Sequence, residues 1–256
     1  MIVFKDLHKD FGPKQVLQGF SLHVPEGETT VVIGYSGSGK SVALKHVVGL
    51  IDPDQGEVEV DGEIVHELDR NGLVALRSKI GYVFQFAALF DSMTVRDNIL
   101  LGLKRRQDLS EREMGERMEE SLDVVDLEGV EDKFPAELSG GMRKRVGIAR
   151  AIAIRPRYIL YDEPTTGLDP VTSSVINRLM VRAREKLGVT GIVVTHDMNS
   201  AYTVGDRIAM LYKGAIRQVG TVEQIQRTHD PIVRQFIEGR PDASGDGTTA
   251  TAEVSG

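Results

Sequence analysis

The chain contains no cysteine. Disulfides and thiolate metal sites are therefore excluded, and the composition fits a reducing compartment. Basic charge is not in excess: 31 Lys and Arg stand against 38 Asp and Glu, a formal charge of −7. A broad basic face is not expected, so nucleic acid is not among the anticipated partners. No apolar run approaches the roughly 20 residues that a membrane-spanning helix needs. The opening Met1-Ile2-Val3-Phe4-Lys5-Asp6 lacks a basic region followed by a long apolar core, so no signal peptide is expected. There is no internal repeat. These absences lead to the expectation of a cytosolic protein, unless a partner holds it at a membrane. At 256 residues the chain can bury a sizeable core, as one large domain or one domain with a small lobe.

What the sequence does have is concentrated in Gly34-Tyr35-Ser36-Gly37-Ser38-Gly39-Lys40-Ser41. This fits G-x-x-x-x-G-K-[ST] at every defined position. A short β-branched run, Val31-Val32-Ile33, precedes it, and Val42 to Val48 can continue as a helix. Strand, glycine loop and helix aim successive backbone N–H groups and a helix N-terminus at one spot, which suits polyphosphate. In such a loop Lys40 reaches the β- and γ-phosphates, and the Ser41 hydroxyl ligates Mg²⁺. Glycine is needed where side chains would block close approach or where the backbone angles are unusual.

Buried strands ending in polar residues recur downstream. Gly81-Tyr82-Val83-Phe84-Gln85 ends in an amide, Tyr158 to Asp162 in an acid followed by Glu163, and Gly191 to Thr195 in His196. Ligand sites of parallel sheets gather at such carboxyl ends, so Gln85, Asp162, Glu163 and His196 are expected beside the phosphate loop. Val3–Leu7, Phe20–Val24 and the segment between Gly56 and Gly62 read as further strands. Residues from about 91 to 155 form an inserted helical lobe, rich in charge up to Pro135. Asp169-Pro170 opens a helix to about Leu187, with Asp169 as N-cap and Pro170 first in the helix. Arg207–Val219 is a hairpin turning at Lys213-Gly214. Thr221 and Gln224 make a capping box, and Asp230-Pro231 starts a last helix. The small, polar residues 240–256 are expected to be disordered. His8, His23, His46, His66 and His229 have no chemical context and are read as structural.

Between the lobe and the acidic strand lies Leu138-Ser139-Gly140-Gly141-Met142. With the phosphate loop and Tyr158–Glu163, this resembles the nucleotide-binding subunit of ABC transporters, with six motifs in family order from about Val3 to Gly239. The resemblance implies an α/β fold. Its parts are a P-loop NTPase (RecA-like) core with a mostly parallel sheet, an antiparallel β subdomain and the inserted helical subdomain, all within residues 1–239. It implies ATP and Mg²⁺ as ligands. Glu163 would be the general base, His196 the γ-phosphate switch, Gln85 a contact to Mg²⁺ or the attacking water, and Asp162 a metal-side acid with Ser41. Gly34, Ser36, Gly37, Ser38, Gly39, Lys40, Ser41 and Val42 would hold the phosphates. Phe11 would stack on adenine, an interaction of about 1 kcal/mol; the competing reading is a core Phe of a strand. Ser139, Gly140 and Gly141 would cap the nucleotide of a second copy, so two chains are needed in a head-to-tail dimer, with Asp169 crossing the interface.

The signature ends in Met142 where the family commonly has Gln. Met142 with Arg143-Lys144-Arg145, the stretch Phe84–Val95 and the segment Asp230–Gly239 are similar to the ATPases of Mla-type, MCE-associated phospholipid transporters. That similarity implies an integral-membrane permease (MlaE-like), an MCE protein (MlaD-like) and, as an optional partner, a STAS-domain regulator (MlaB-like). It places the chain at the cytoplasmic face of the inner membrane, held by the permease. The alternatives are a transporter motor for another solute, or a soluble ABC ATPase. The second lacks support, because coiled-coil insertions, zinc modules and tandem domains are missing.

Overall fold

The computed structural model describes residues 1–105 and 108–240. The polar stretch expected to be disordered lies, from residue 241 onward, outside the described residues. The chain opens with a hairpin, β1 (Ile2–Phe11) and β2 (Lys14–Val24), then β3 (Thr29–Ile33), α1 (Lys40–Val47), β4 (Gln55–Val60) and β5 (Glu63–Ile64). Next come α2 (Arg70–Ser78) and β6 (Ile80–Val83), followed by α3 (Val95–Leu103), α4 (Glu111–Val124) and α5 (Gly140–Ala153). The rest is β7 (Tyr158–Asp162), α6 (Pro170–Leu187), β8 (Thr190–Thr195), α7 (Met198–Val204), β9 (Arg207–Tyr212), β10 (Ala215–Thr221), α8 (Val222–Gln226) and α9 (Pro231–Ile237).

The strands sort into a four-stranded antiparallel sheet, β2-β1-β4-β5, and a six-stranded sheet, β10-β9-β3-β8-β7-β6. In the larger sheet only β10 runs antiparallel to its neighbour. Its central strands are mostly apolar because both faces are covered; every residue of β3, β7 and β8 is buried. Alternate side chains feed two cores. Val31, Ile33, Ile159, Tyr161 and Val193 pack with α3, α4, α5, α6 and α7. Val32, Leu160, Ile192 and Val194 pack with α1 and the antiparallel sheet. Burial of each such aliphatic side chain contributes about 1.5–3 kcal/mol.

Helix starts follow their caps. Asp169 accepts from the N–H groups of Val171 and Thr172 at 2.9 and 3.0 Å, Pro170 fills the first turn, and Gly188 closes α6 in the left-handed region. Thr221 with Gln224 forms a capping box, and Asp230 caps α9. Some boundaries differ from the sequence pattern. β1 and β2 are longer than Val3–Leu7 and Phe20–Val24, because bulges around Asp6 and Lys9 break the alternation that marks a strand. β6 stops at Val83, two residues before Gln85. Beyond it the chain turns, with Ala87 and Ala88 at φ 61° and 46°. Helices α2 and α7 were not expected: each is short, and α2 buries only Leu76.

Candidate active site

The phosphate loop joins β3 to α1. Gly37 and Gly39 sit at φ 75° and 105°, a region that other residues enter only with strain. Gly34 is required for a different reason: a Cβ there would lie 2.7 Å from the Leu211 carbonyl oxygen. The loop is closed by the Ser38 N–H donating to the Tyr35 carbonyl at 3.2 Å. Behind it, the Tyr35 ring stands edge-on to Phe236 of α9, with centroids 5.0 Å apart.

Lys40 is 5% exposed and donates to the carbonyls of Gly34 (2.8 Å) and Tyr35 (3.1 Å). Its ammonium lies 3.4 Å from Glu163 Oε1. Burial holds its pKa below the usual lysine range, while Glu163 and, less strongly, Asp162 pull it back up. The Ser41 hydroxyl donates to Asp162 Oδ1 at 2.6 Å, and the Tyr82 hydroxyl donates to Asp162 Oδ2 at 3.3 Å. Burial and then the Asp162 charge push the Tyr82 phenol above its ordinary range, so it stays a neutral donor.

Glu163 follows β7 with φ 47°, a left-handed conformation that costs a non-glycine residue about 1–3 kcal/mol and concentrates at functional sites. Its N–H donates to the Val194 carbonyl at 2.9 Å. Its Oε2 accepts from Thr166 Oγ1 at 3.1 Å and lies 2.9 Å from His196 Nδ1. His196 is half exposed at the end of β8. The next residue, Asp197, caps α7 and accepts from Ser200, whose hydroxyl also meets Thr165 at 3.2 Å. The loop after Glu163 and the loop after β8 are thus fixed to each other.

These groups face one cleft of about 550 Å³, lined by residues 36–42 of the loop together with Phe11, Gln85, Glu163 and His196. Phe11 is not a core residue: it is 48% exposed at the end of β1, beside Val16, with the Lys9 ammonium 5.7 Å from its ring centroid. Gly34 and Asp162 do not line the cleft; they support Lys40 and Ser41 from beneath. Ser139, Gly140, Gly141 and Asp169 line a separate cleft of about 470 Å³ between the N-termini of α5 and α6, which shares no residue with the first. Ser139 caps α5 by accepting from the Met142 N–H at 3.2 Å. Sequence reasoning gave Thr166, Tyr82, Lys14 and Lys144 no role at the cleft; Lys144 entered only as part of the segment after Met142, and its burial in α5 is visible in the structure alone.

The cleft fits a nucleotide with its cation. The Ser38 hydroxyl is buried with no partner among the described residues, a donor left over in a loop of backbone N–H groups. Ser41 and Asp162 offer oxygen alone, the ligand type Mg²⁺ prefers, and Mg²⁺ usually takes one or two carboxylates plus substrate phosphates rather than a closed protein cage. No group of three or more metal-binding side chains exists among the described residues.

Known proteins place the chain in a family. Residues 17–166 match the family model described as ABC transporter. The chain is 40% identical over 239 residues to the probable ribonucleotide transport ATP-binding protein mkl of Mycobacterium leprae, covering 93% of this chain and 69% of that protein. It is 39% identical over 262 residues to protein TRIGALACTOSYLDIACYLGLYCEROL 3, chloroplastic, of Arabidopsis thaliana, covering 94% and 74%. A sulfate/thiosulfate import ATP-binding protein CysA of Synechocystis is 37% identical, covering 92% and 65%. The chain thus spans about two thirds of the length of the mycobacterial relatives, between 65% and 69%. Among solved structures, the dimeric ATP-binding cassette MJ0796, in a post-hydrolysis state with ADP and Pi, superposes with TM-score 0.79 at 36% identity, covering 87% and 99%. The cbiO1 subunit from Clostridium perfringens gives 0.81 at 29% identity, covering 91% and 93%. The chain belongs to the ABC transporter family. It is an ATP-binding cassette, an ATPase coupled to transport, of the kind that dimerises and pairs with a membrane permease.

Proposed function

We propose that this chain is the ATP-hydrolysing motor of a phospholipid transporter of the Mla type. The observation that carries the ATPase half of this reading is the meeting of Lys40, Ser41, Glu163 and His196 at one cleft, with Asp162 holding Ser41 from beneath. The lipid half is supported by the Arabidopsis relative, whose name is that of a galactolipid, and by Met142 and the late segment Asp230–Gly239. The name of the mycobacterial relative points to ribonucleotides and that of the Synechocystis relative to sulfate, so a motor for another solute is the second reading.

In this reading the backbone of residues 36–42 and the Lys40 ammonium hold the β- and γ-phosphates. Ser41 and Asp162, with Gln85, would hold Mg²⁺, which supplies charge neutralisation on the phosphate oxygens. Glu163 accepts the proton of the attacking water, and His196 and Thr166 hold that carboxylate in place. His196 also donates to the γ-phosphate. Phe11 lies under the adenine. Ser139, Gly140, Gly141 and Asp169 serve the nucleotide of a second copy, in line with their separation from their own chain's phosphate cleft.

No helix among the described residues is long and apolar enough to cross a membrane, so transport requires a partner that does. The apolar stretch Phe86 to Phe90 after β6 is a natural place for that partner to dock, but only part of it is open. Ala87 is buried and Leu89 packs on the core, because the two left-handed residues fold the loop inward. The open groove, of about 450 Å³, is lined by Phe84, Ala88 and Phe90 with Leu101, Gly102 and Ile154. A short permease helix would lie there, with the chain held peripherally on the cytoplasmic side; an MCE protein and a STAS-domain regulator complete the proposed assembly. The test is purification of that assembly with identification of bound lipid. Phospholipid retained in proportion to the complex supports the reading. A lipid-free complex whose ATPase responds to sulfate or a nucleotide instead would overturn it.

A further inference from the structure

Lys144 is 7% exposed, yet it is a cation on the fifth helical residue of α5. Its ammonium donates to the Gln85 carbonyl and lies 3.4 Å from the Glu163 carbonyl. Asp162 and Glu163 are the charges near it; burial pulls its pKa down and those two carboxylates pull it up. The same helix face continues toward the loop after β6. A Cβ on Gly147 would stand 3.3 Å from Ala87 Cβ, so the helix and the loop are in close contact. One turn further on, the Arg150 guanidinium donates to the carbonyls of Ala87 (2.6 Å) and Ala88 (2.7 Å), the two left-handed residues. One helix therefore begins at Ser139, in a cleft that shares no residue with the phosphate cleft, and grips both the Gln85 loop and the backbone of Glu163.

We infer that Lys144 is a positioning residue for hydrolysis: it ties the Ser139 end of α5 to the Gln85 and Glu163 backbone of the same chain, so that occupancy at one site sets the geometry of the other. The inference rests on Glu163 being the base. Buried ammonium groups are stabilised only where partners surround them. Here the partners are two backbone carbonyls of residues that line the cleft and the two carboxylates at the end of β7. The helix is rigid, so a displacement at Ser139 moves Lys144 with it.

The test uses the full chain at concentrations that saturate its ATP-dependent pairing, and measures steady-state phosphate release. Lys144→Met keeps the length of the stem and removes the donor. It should lower kcat about tenfold, as misplacement of catalytic groups does, with the ATP KM within twofold, because Lys40 and the glycine loop are untouched. Lys144→Arg, which keeps the donors and charge, should recover part of the loss; Lys144→Gln, smaller and easily folded, should lie between. Amide exchange in residues 84–88 should rise in Lys144→Met. A kcat within twofold of wild type in Lys144→Met, or loss of activity that only follows loss of thermal stability with no rescue by Arg, overturns the inference. Glu163→Gln is the control: if it still hydrolyses ATP, the reading of the site fails. If it is inactive while Lys144→Met is fully active, only the role of Lys144 fails.

Discussion

Replacement of Glu163 by Gln gives two effects of opposite sign that can be measured on one preparation. The side chain keeps its shape, and an amide oxygen can still accept from Thr166 or His196. What is lost is a proton acceptor and a charge. Loss of the base lowers phosphate release about 10²–10⁴-fold, which is about 3–5 kcal/mol of barrier. Loss of the charge also strands Lys40, whose ammonium lies 3.4 Å from Glu163 Oε1 with both side chains at most 10% exposed. Breaking such a pair costs about 3–5 kcal/mol when nothing replaces the partner. Lys40 retains the Gly34 and Tyr35 carbonyls and the nearby Asp162, so a cost of about 1–2 kcal/mol is the better figure, within the cost of leaving a buried donor short of one acceptor. For a domain of this size that lowers Tm by about 2–8 °C without nucleotide. ATP that is bound and not cleaved reverses the sign: at a hundred times Kd it adds about 2.7 kcal/mol. The assays are phosphate release and thermal unfolding with and without MgATP. Hydrolysis within twofold of wild type, or a nucleotide-free Tm unchanged while ATP fails to raise it, would refute the assignment of Glu163 and its pairing with Lys40.

Three further outcomes are expected. Sedimentation of Glu163→Gln should show monomer without nucleotide and dimer with ATP, and Gly141→Val should abolish the dimer, since a Cβ there lies 2.7 Å from Thr172 Cγ2 and forces α5 from α6; unchanged mass on adding ATP counts against the shared site. The fold should weaken on acidification through His46, whose Nδ1–H donates to the Val42 carbonyl at 2.8 Å while its Nε2 is buried without a partner among the described residues. Burial lowers its pKa, so the unfolded chain takes up a proton near the ordinary histidine value of about 6.5 and the folded chain only below it; stability is full above that pH and falls beneath it, and equal pH dependence in His46→Leu would remove His46 as the cause. Ala88→Glu, which sets a charge in the groove lined by Phe84 and Phe90, should prevent co-purification of the permease with ATP binding by the isolated chain near normal; a variant that still pulls the permease down sinks the docking assignment.

The sequence made much of the architecture legible, because its strongest signals are local. Runs such as Thr190–Thr195 are buried on both faces, and caps such as Asp169 and Thr221 end helices by side-chain chemistry alone. The proximity of Gln85, Glu163 and His196 to the glycine loop was legible for a topological reason: parallel strands put their carboxyl ends on one edge. What the pattern concealed was contact between distant segments. The bulges of β1 disguise its length. The turn that buries Ala87 is held by Arg150, which donates to the carbonyl of Ala88 sixty-two residues away. The grip of Lys144 on Gln85 spans fifty-nine residues. Thr166 was visible in the sequence, but its bond to the Glu163 carboxylate follows from the left-handed turn at Glu163, which no neighbouring residue type announces.

The resting geometry explains why a lone chain would be a poor hydrolase under the proposed mechanism. Glu163 is engaged on both oxygens, by Lys40 on one and by Thr166 and His196 on the other. A carboxylate with its lone pairs occupied by donors is a weak acceptor for the proton of water. Two cations, Lys40 and Lys144, lie beside two acids, Asp162 and Glu163, and offset them without ligand, while Lys14 on the cleft lining adds a further positive charge. Polyphosphate brings negative charge into that balance and competes with Glu163 for Lys40. Transfer of Lys40 to phosphate would free Glu163 Oε1. The remaining donors to the phosphates are then Ser139, Gly140 and Gly141, which this chain points into a different cleft. Under the proposed mechanism nucleotide alone would release the base and only a second copy would complete the site, so hydrolysis would be tied to pairing by the ion pair of one glutamate and the placement of one helix.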